Sequence, residues 1–273
     1  MDHAIALTGS SIASLWPLVR ARLRVLCGIV LGEDQSYLLT RLEPVAGALG
    51  FPSVADYLAA TLAGARPELQ SALVETMTTH ESSFFRDPPF WETLRARILP
   101  GLTRLDRPLQ IWSAACSSGQ EPYSLSILLK SEFPALPFDI WATDIAEETL
   151  ERARKGTFAA IEIQRGLPPA LRDAYFTPAD GGFRVIARIR EAIRFDTYNL
   201  LGATHPLRRF DLIFCRNVLV YFDDTSREQV MRRLAQALTP EGSLGLGSTE
   251  LPVRDVAGLT RMPQGGGWLE RSR

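Results

Sequence analysis

Leu109-Gln110-Ile111-Trp112-Ser113-Ala114, running into Ala115-Cys116-Ser117-Ser118-Gly119-Gln120-Glu121-Pro122, is the stretch that decides the fold. The first six residues read as a strand by length and apolar content. The small residues after them make a turn, and Tyr123, Leu125 and Leu129 continue as a helix. Phe138 to Ala142 and Phe210 to Cys215 repeat the strand texture, with amphipathic helices in between. Parallel strands need crossover connections, so alternating strand and helix predicts a parallel α/β sheet. The helix after Asp144 offers Glu148/Arg152 and Glu151/Lys155 at i, i+4 and stops at Gly156. The helix after Asp224 begins Thr225-Ser226-Arg227-Glu228, a capping-box pattern, and shows Val230, Met231, Leu234 and Leu238 on one face. Between them, Gly181-Gly182 and the alternation Phe183-Arg184-Val185-Ile186-Ala187-Arg188-Ile189 predict a small antiparallel ribbon inserted around residues 180–196.

Upstream the texture is helical. Trp16, Val19, Leu23 and Leu26 recur at three and four residues, and Tyr37, Leu38, Arg41, Leu42 and Val45 continue the pattern. Ser53 is placed to cap a short helix through Tyr57, Leu58 and Leu62, and Pro67 opens another through Leu69, Leu73 and Met77. The expected organisation is an all-helical N-terminal domain over residues 1–85 and an α/β domain with its β-ribbon over 86–273.

The 273 residues are 46% hydrophobic and 22% charged, which sets aside disorder, collagen and coiled coil. No apolar run approaches the ~20 residues that span a bilayer, so membrane insertion is not expected. Asp2 and His3 stand where a secretory leader carries Lys or Arg, and Cys27, Cys116 and Cys215 lack metal-knuckle or disulfide-framework spacing. A reducing cytoplasm and no metal site are the expectations. With 30 basic and 31 acidic residues no global field draws the chain to nucleic acid.

The turn after the first strand has the chemistry of a ligand loop. Small residues at a strand-to-helix turn let a ligand approach backbone N–H groups, and an acid such as Asp144, ending the next strand, accepts two hydrogen bonds from a ribose diol. Gly119 is the only glycine of the turn, which argues against a pyrophosphate and leaves a cofactor without phosphates, such as S-adenosylmethionine. The same turn also serves as an ordinary βα connection in which Glu121 complements the helix dipole, and the loop alone does not choose.

Its neighbours do. From about Leu15 to the C-terminus the chain resembles the CheR-type chemotaxis receptor methyltransferases. The resemblance rests on Thr78-Thr79-His80-Glu81-Ser82-Ser83-Phe84-Phe85-Arg86, Trp112 to Ser124, Ala142-Thr143-Asp144-Ile145, Asn199-Leu200-Leu201, and Phe210 to Phe222, in family order. It implies a Rossmann-like S-adenosylmethionine-dependent methyltransferase sheet with a small antiparallel β-subdomain, preceded by a helical domain. It also implies methyl transfer to glutamate carboxylates on the cytoplasmic domains of chemoreceptors, leaving S-adenosylhomocysteine. Position by position, it places His80, Ser82, Arg86, Glu121, Asp144, Asn199, Leu200, Arg216 and Asn217 around the cofactor. His80 and Ser82 depart from the asparagine and threonine usual in the family, and imidazole has a different reach from an amide. Residues 1–100 carry 8 basic and 10 acidic side chains, where well-known members have a strongly basic second helix. These departures favour, as the alternative, a cofactor-binding signalling adaptor with weak catalysis.

A glutamate of pKa ~4.3 is already ionised at neutral pH, so methyl transfer to it needs no general base. Positioning then carries catalysis. Arg86 is the candidate to hold one carboxylate oxygen, and Tyr221 to donate to the same group or orient the methyl. The alternatives are an Arg86–Asp87 surface pair and a core tyrosine. Phe84, Phe85, Phe90 and Trp91 read as interdomain core rather than an adenine box, and the buried cysteines carry no assigned chemistry. Arg184, Arg188 and Arg190 read as a solvated face or an acidic partner's contact.

Overall fold

The computed structural model describes residues 10–34, 36–79, 81–203, 206, 208–252, 256–263 and 265–272. The chain divides into two compact units. One ends at Thr79 and takes in Tyr221–Ser226, and the other holds the remainder, up to Val220 and from Arg227 onward.

Among the described residues four helices build the first unit: α1 (Ile12–Cys27), α2 (Ser36–Ala48), α3 (Val54–Leu62) and α4 (Pro67–Met77). Ser11 caps α1 by accepting the Ser14 N–H, and Gly28, at φ 77°, closes it by donating to the Arg24 carbonyl. Leu15, Trp16, Val19, Leu23 and Cys27 form its buried stripe. Ser53 caps α3 as its sequence position predicts, and the Tyr57 hydroxyl donates to the Leu69 carbonyl at 3.1 Å, tying α3 to α4. The returning segment joins through an Ile29–Phe222 bridge, a Val30 N–H to Tyr221 carbonyl bond and an Arg24–Asp223 ion pair at 2.5 Å.

The second unit starts with α5 (Pro88–Thr93), which continues through a π-helical turn (Leu94–Ile98) and a last α turn (Leu99–Leu102). Then come β1 (Leu109–Ala114), α6 (Gln120–Glu132), β2 (Phe138–Asp144), α7 (Glu147–Lys155), β3 (Thr157–Phe158), α8 (Ala160–Gln164) and α9 (Pro169–Tyr175). The chain goes on through β4 (Phe176–Ala179), β5 (Gly182–Val185), α10 (Ala187–Arg190), β6 (Ile193–Thr197), β7 (Phe210–Cys215), α11 (Asp224–Ala237), β8 (Leu238–Leu246), β9 (Leu259–Arg261) and β10 (Trp268–Arg271).

The main sheet has the order β6-β2-β1-β7-β8-β10-β9. Its first five strands are parallel, and β10 runs antiparallel to both β8 and β9. A second, three-stranded antiparallel sheet has the order β3-β5-β4. This is the α/β class expected, a Rossmann-like sheet with a small β-subdomain after N-terminal helices.

Several local expectations are corrected. The ribbon lies earlier than residues 180–196: alternation ends at Val185, Ala187–Arg190 form a helical turn, and Ile193–Thr197 is the edge strand of the main sheet. A stretch with apolar residues at every second position also satisfies one short helical turn, and pairing with β2 claims its end. On α7 the ion pairs are Arg154 with Glu147 and Glu151, while Arg152 reaches Glu162 beyond the helix. The cap of α11 is Asp223, which accepts the Ser226 N–H at 2.7 Å, rather than a box starting at Thr225. Phe84, Phe90 and Trp91 belong to the buried core of the second unit. Phe84 meets Phe158 and Phe176 of the small sheet edge-on, and Phe90 stacks on Trp268 at 4.5 Å.

Among the described residues no helix is long and apolar enough to cross a membrane, and no His/Cys/Asp/Glu group could hold a metal ion. Burial pushes the Cys116 and Cys215 thiols well above their ordinary range and Cys27 to about 11, which leaves them inert.

Candidate active site

From β1 the chain winds outward to β2 and β6, whereas β7 and β8 extend the sheet the other way. That reversal between β1 and β7 is a topological switch point, and α/β sheets bind ligands outside the strand C-termini there. The strands end level: Ala114 pairs with Thr143 and with Cys215, Asp144 with Thr197, and Cys215 with Leu246. The segments after β1, β2, β6, β7 and β8 therefore share one rim.

Arg216, directly after β7, organises that rim. Its side chain is 2% exposed and pairs with Asp87 at 2.7 Å and Glu121 at 3.2 Å. It also donates to the Arg86 carbonyl at 2.8 Å, and its guanidinium lies 4.1 Å from the Phe90 ring centroid. A planar five-donor fork suits this several-sided role where an ammonium would not. Glu121, in the first turn of α6, also accepts from the Ser113 hydroxyl at 2.8 Å. Burial raises its carboxyl above the ordinary value, against the opposing pull of Arg216.

Asp144, ending β2, accepts from the Ser117 N–H at 2.8 Å and the Ala146 N–H at 3.1 Å. The Tyr198 N–H donates to the Asp144 carbonyl, which brings the turn after β6 alongside. In that turn Asn199 accepts the Leu201 N–H through its own side chain, and the carbonyls of Leu200 and Gly202 accept from Arg233.

Arg86 is presented by a constrained turn. Phe85 and Asp87 on either side have φ of 48° and 61°, a conformation costing ~1–2 kcal/mol per non-glycine residue. The surrounding bonds hold it: Phe85 N–H donates to Ser124 Oγ at 3.0 Å, and the Arg86 carbonyl accepts from Trp91 Nε1 at 2.9 Å as well as from Arg216. Asp87 gives its carboxylate to Arg216 rather than to Arg86, so the surface-pair alternative for Arg86 is not formed. Arg86 Nη1 donates instead to the Glu81 carbonyl at 3.3 Å.

Of the residues singled out from sequence, Glu121, Asp144, Asn199, Leu200, Arg216 and Asn217 line this rim, with Arg86 joined to it through its carbonyl. Ser82 is half-buried in the segment leading to Phe84. His80 lies outside the described residues. Tyr221 belongs to the first unit and ends a 3₁₀ turn (Leu219–Tyr221) at 37% exposure, so it is no core tyrosine.

Sequence reading gave no site role to Ser124 or Glu250, and took Trp91 as core without its bond to the Arg86 carbonyl. Glu250 is 8% exposed, in a 3₁₀ turn (Ser248–Glu250) after β8. Its signal was Gly247-Ser248-Thr249-Glu250, a small residue followed three later by Glu, the pattern of a helix start.

The rim also tests the proposed ligand class. Gly119 (φ 93°) is required by its neighbours rather than by a ligand, since a Cβ there would come 3.0 Å from the Ala153 Cβ and 3.2 Å from the Tyr123 ring. Ala115 and Ser117 (φ 62° and 50°) hold the loop in a strained form around it. Among the described residues the buried Arg216 Nε has no partner, which leaves a donor for a ligand acceptor. An acid ending β2, another in the first turn of α6 and an unmet donor on Arg216 fit a nucleoside that bears a charged amino-acid tail and no phosphates, as S-adenosylmethionine does.

Fold and rim together thus define a Rossmann-like methyltransferase. Residues 80–262 match the family described as "CheR methyltransferase, SAM binding domain". The chain is 38% identical over 241 residues to "Chemotaxis protein methyltransferase" of Vibrio parahaemolyticus, covering 86% of each chain. It is 37% identical to "Chemotaxis protein methyltransferase 1" of Pseudomonas aeruginosa, over 85% of this chain and 88% of that one. The Salmonella typhimurium "Chemotaxis protein methyltransferase" is 31% identical over 92% of this chain and 86% of its own. The chain belongs to the CheR methyltransferase family, and its cofactor is S-adenosylmethionine.

Proposed function

We propose that this protein methylates glutamate side chains on the cytoplasmic domains of chemoreceptors, giving γ-methyl esters, and that it works in the cytoplasm. The observation that carries the reading is a guanidinium presented on a fixed, strained turn at the rim of a methyltransferase sheet, in a chain whose relatives are named for chemotaxis. S-adenosylmethionine, when bound, supplies a methyl group on a positively charged sulfur. Transfer of that methyl group to a carboxylate oxygen would leave the S–CH₃ electron pair on sulfur and would need no proton to move, so the chain's own residues have only to hold and orient the two groups.

Arg86 holds one oxygen of the incoming carboxylate, and Tyr221 donates to it or orients the methyl group. His80, Ser82, Arg86, Glu121, Asp144, Asn199, Leu200, Arg216 and Asn217 form the cofactor site. Asp144 receives the ribose hydroxyls from a carboxylate already oriented by the Ser117 and Ala146 N–H groups. Glu121 and Arg216 hold each other at the switch point, and Arg216 Nε offers the remaining donor. Preorganisation of this kind accounts for rate without an acid–base pair, because orienting two reactants is worth up to ~7–11 kcal/mol.

The test is incubation of the protein with methyl-labelled S-adenosylmethionine and purified receptor cytoplasmic domains from the same cell. Base-labile label on receptor glutamates is the expected result. A protein that binds the cofactor yet leaves every receptor unlabelled overturns the assignment.

A further inference from the structure

We infer that Glu250 is a positioning residue for cofactor binding: its carboxylate is the internal anion around which the turn at residues 217–220 is wound. One oxygen accepts the Asn217 N–H at 2.6 Å and the Gly247 N–H at 2.8 Å. The other accepts the Leu219 N–H at 2.6 Å and the Val220 N–H at 3.3 Å. Four backbone donors from two segments converge on one buried side chain, and among the described residues no cation pairs with it. Buried carboxylates ordinarily pair with a cation, and here a nest of N–H dipoles does that work.

The nest sits where the proposed site needs a defined backbone. Asn217 adopts φ 59°, which asparagine tolerates but does not prefer over the right-handed region. The turn immediately follows Arg216, so whatever sets residue 217 also sets the exit direction of β7 at the switch point. Gly247 shows how closely the parts fit. Its φ of −64° suits any residue, yet a Cβ there would lie 2.5 Å from Glu250 Oε2 and 2.9 Å from Asn217 Nδ2. The position is glycine because the carboxylate and Asn217 occupy the space. A carboxylate kept only for stability has a counterpart at the other end of β7, in Asp211, and that one is paired with Arg107.

The inference rests on the placement of Asn217 in the cofactor site, and the experiment separates the two. S-adenosylhomocysteine is titrated calorimetrically into wild type, Glu250→Gln, Gly247→Ala and Asp211→Asn, well below every melting temperature. Amide proton resonances are recorded alongside. Glu250→Gln is expected to weaken binding by about tenfold or more, the loss of one or two hydrogen bonds to a charged acceptor. It should also move the Asn217 and Leu219 amide protons upfield. Gly247→Ala, which crowds the carboxylate without altering charge, should weaken binding less. Asp211→Asn should lower the melting temperature and leave affinity within about twofold, since its ion pair is remote from the rim. A folded Glu250→Gln that binds like wild type overturns the inference, as does a loss that merely follows melting temperature across all variants. Should Glu250→Gln fail to fold, unchanged affinity in Gly247→Ala overturns it alone. A wild type that does not bind S-adenosylhomocysteine would instead sink the cofactor-site assignment, and this inference with it.

Discussion

The two ends of strand β7 solve the problem of a buried carboxylate differently. At the start of the strand Asp211 receives both terminal nitrogens of Arg107 at 2.7 and 2.6 Å, the Gln110 N–H at 2.9 Å and the Thr239 hydroxyl at 3.2 Å. One charge meets one charge. At the far end two carboxylates, Asp87 and Glu121, share the single guanidinium of Arg216, and among the described residues Glu250 is held by N–H groups alone. Backbone strain follows the same division. Of the six non-glycine residues with positive φ among the described residues, Phe85, Asp87, Ala115, Ser117 and Asn217 belong to segments of the far rim, and Ala257 does not. An end that only supports the sheet can satisfy each group cheaply. Strain and surplus negative charge persist where surrounding contacts over-determine the geometry, as they do around ligand sites.

The largest effect expected from breaking this contrast is at Arg216. Arg216→Ala strands two carboxylates and should cost ~3–5 kcal/mol of stability in urea denaturation, as loss of one partner from a buried ion pair does. Arg216→Lys should recover little, because an ammonium cannot reach Asp87, Glu121 and the Arg86 carbonyl together. A cost below about 1 kcal/mol would make Arg216 no more important than an exposed surface pair.

Next is Arg86→Ala, which should lower kcat by about 10²-fold, the size of effect that misplacing a reactant produces. S-adenosylhomocysteine affinity should fall by much less than kcat does. Asp144→Ala should do the reverse and raise the cofactor Kd. Equal kcat in Arg86→Ala with weakened cofactor binding would remove Arg86 from the carboxylate-holding role.

Asp211→Asn should cost ~1–3 kcal/mol, the range for losing a charged hydrogen-bond partner, and its pH dependence separates the two ends. Burial pushes the Asp211 carboxyl up, but the Arg107 pair and the Gln110 N–H outweigh it, and the folded value lies below the ordinary one. Its stabilisation is complete above the unfolded carboxyl value of ~3.9 and is lost as pH falls through the lower folded value. The gap between wild type and Asp211→Asn should therefore close in acid. Glu121 titrates in the opposite sense. Burial raises its folded value, so its penalty grows as pH rises from the unfolded value through the folded one, and Glu121→Gln should gain on wild type over that interval. Acid and urea denaturation series check both signs.

The smallest effect is Ala115→Gly, expected to stabilise by about 1 kcal/mol because glycine adopts φ of 62° without the Cβ clash. A lower melting temperature would show that the loop after β1 is not strained.

Much of this was legible in the residues. Short, largely apolar runs identified β1 and β7, and the Ser53 and Gly156 signals located helix ends, because those features depend on neighbours a few positions away. The last two strands were not read at all. Trp268–Arg271 is four residues long and Leu259–Arg261 three, too short for a period to register, and they are strands because β8 offers an edge. Ion-pair partners on α7 were misassigned for a related reason: spacing limits which charges can meet along a helix, but Arg152 found Glu162 outside it.

Sequence alone determined the class of fold, the family and the set of polar residues worth suspecting, since strand alternation and motif order are one-dimensional properties. Tertiary structure alone decided who partners whom. Arg216 could be seen to matter, but that it holds Asp87, 129 positions away, and Glu121, 95 away, depends on five strands ending level. Glu250 was not singled out from the sequence and is the anchor of a distant turn, because a buried carboxylate must find donors wherever the folded chain supplies them.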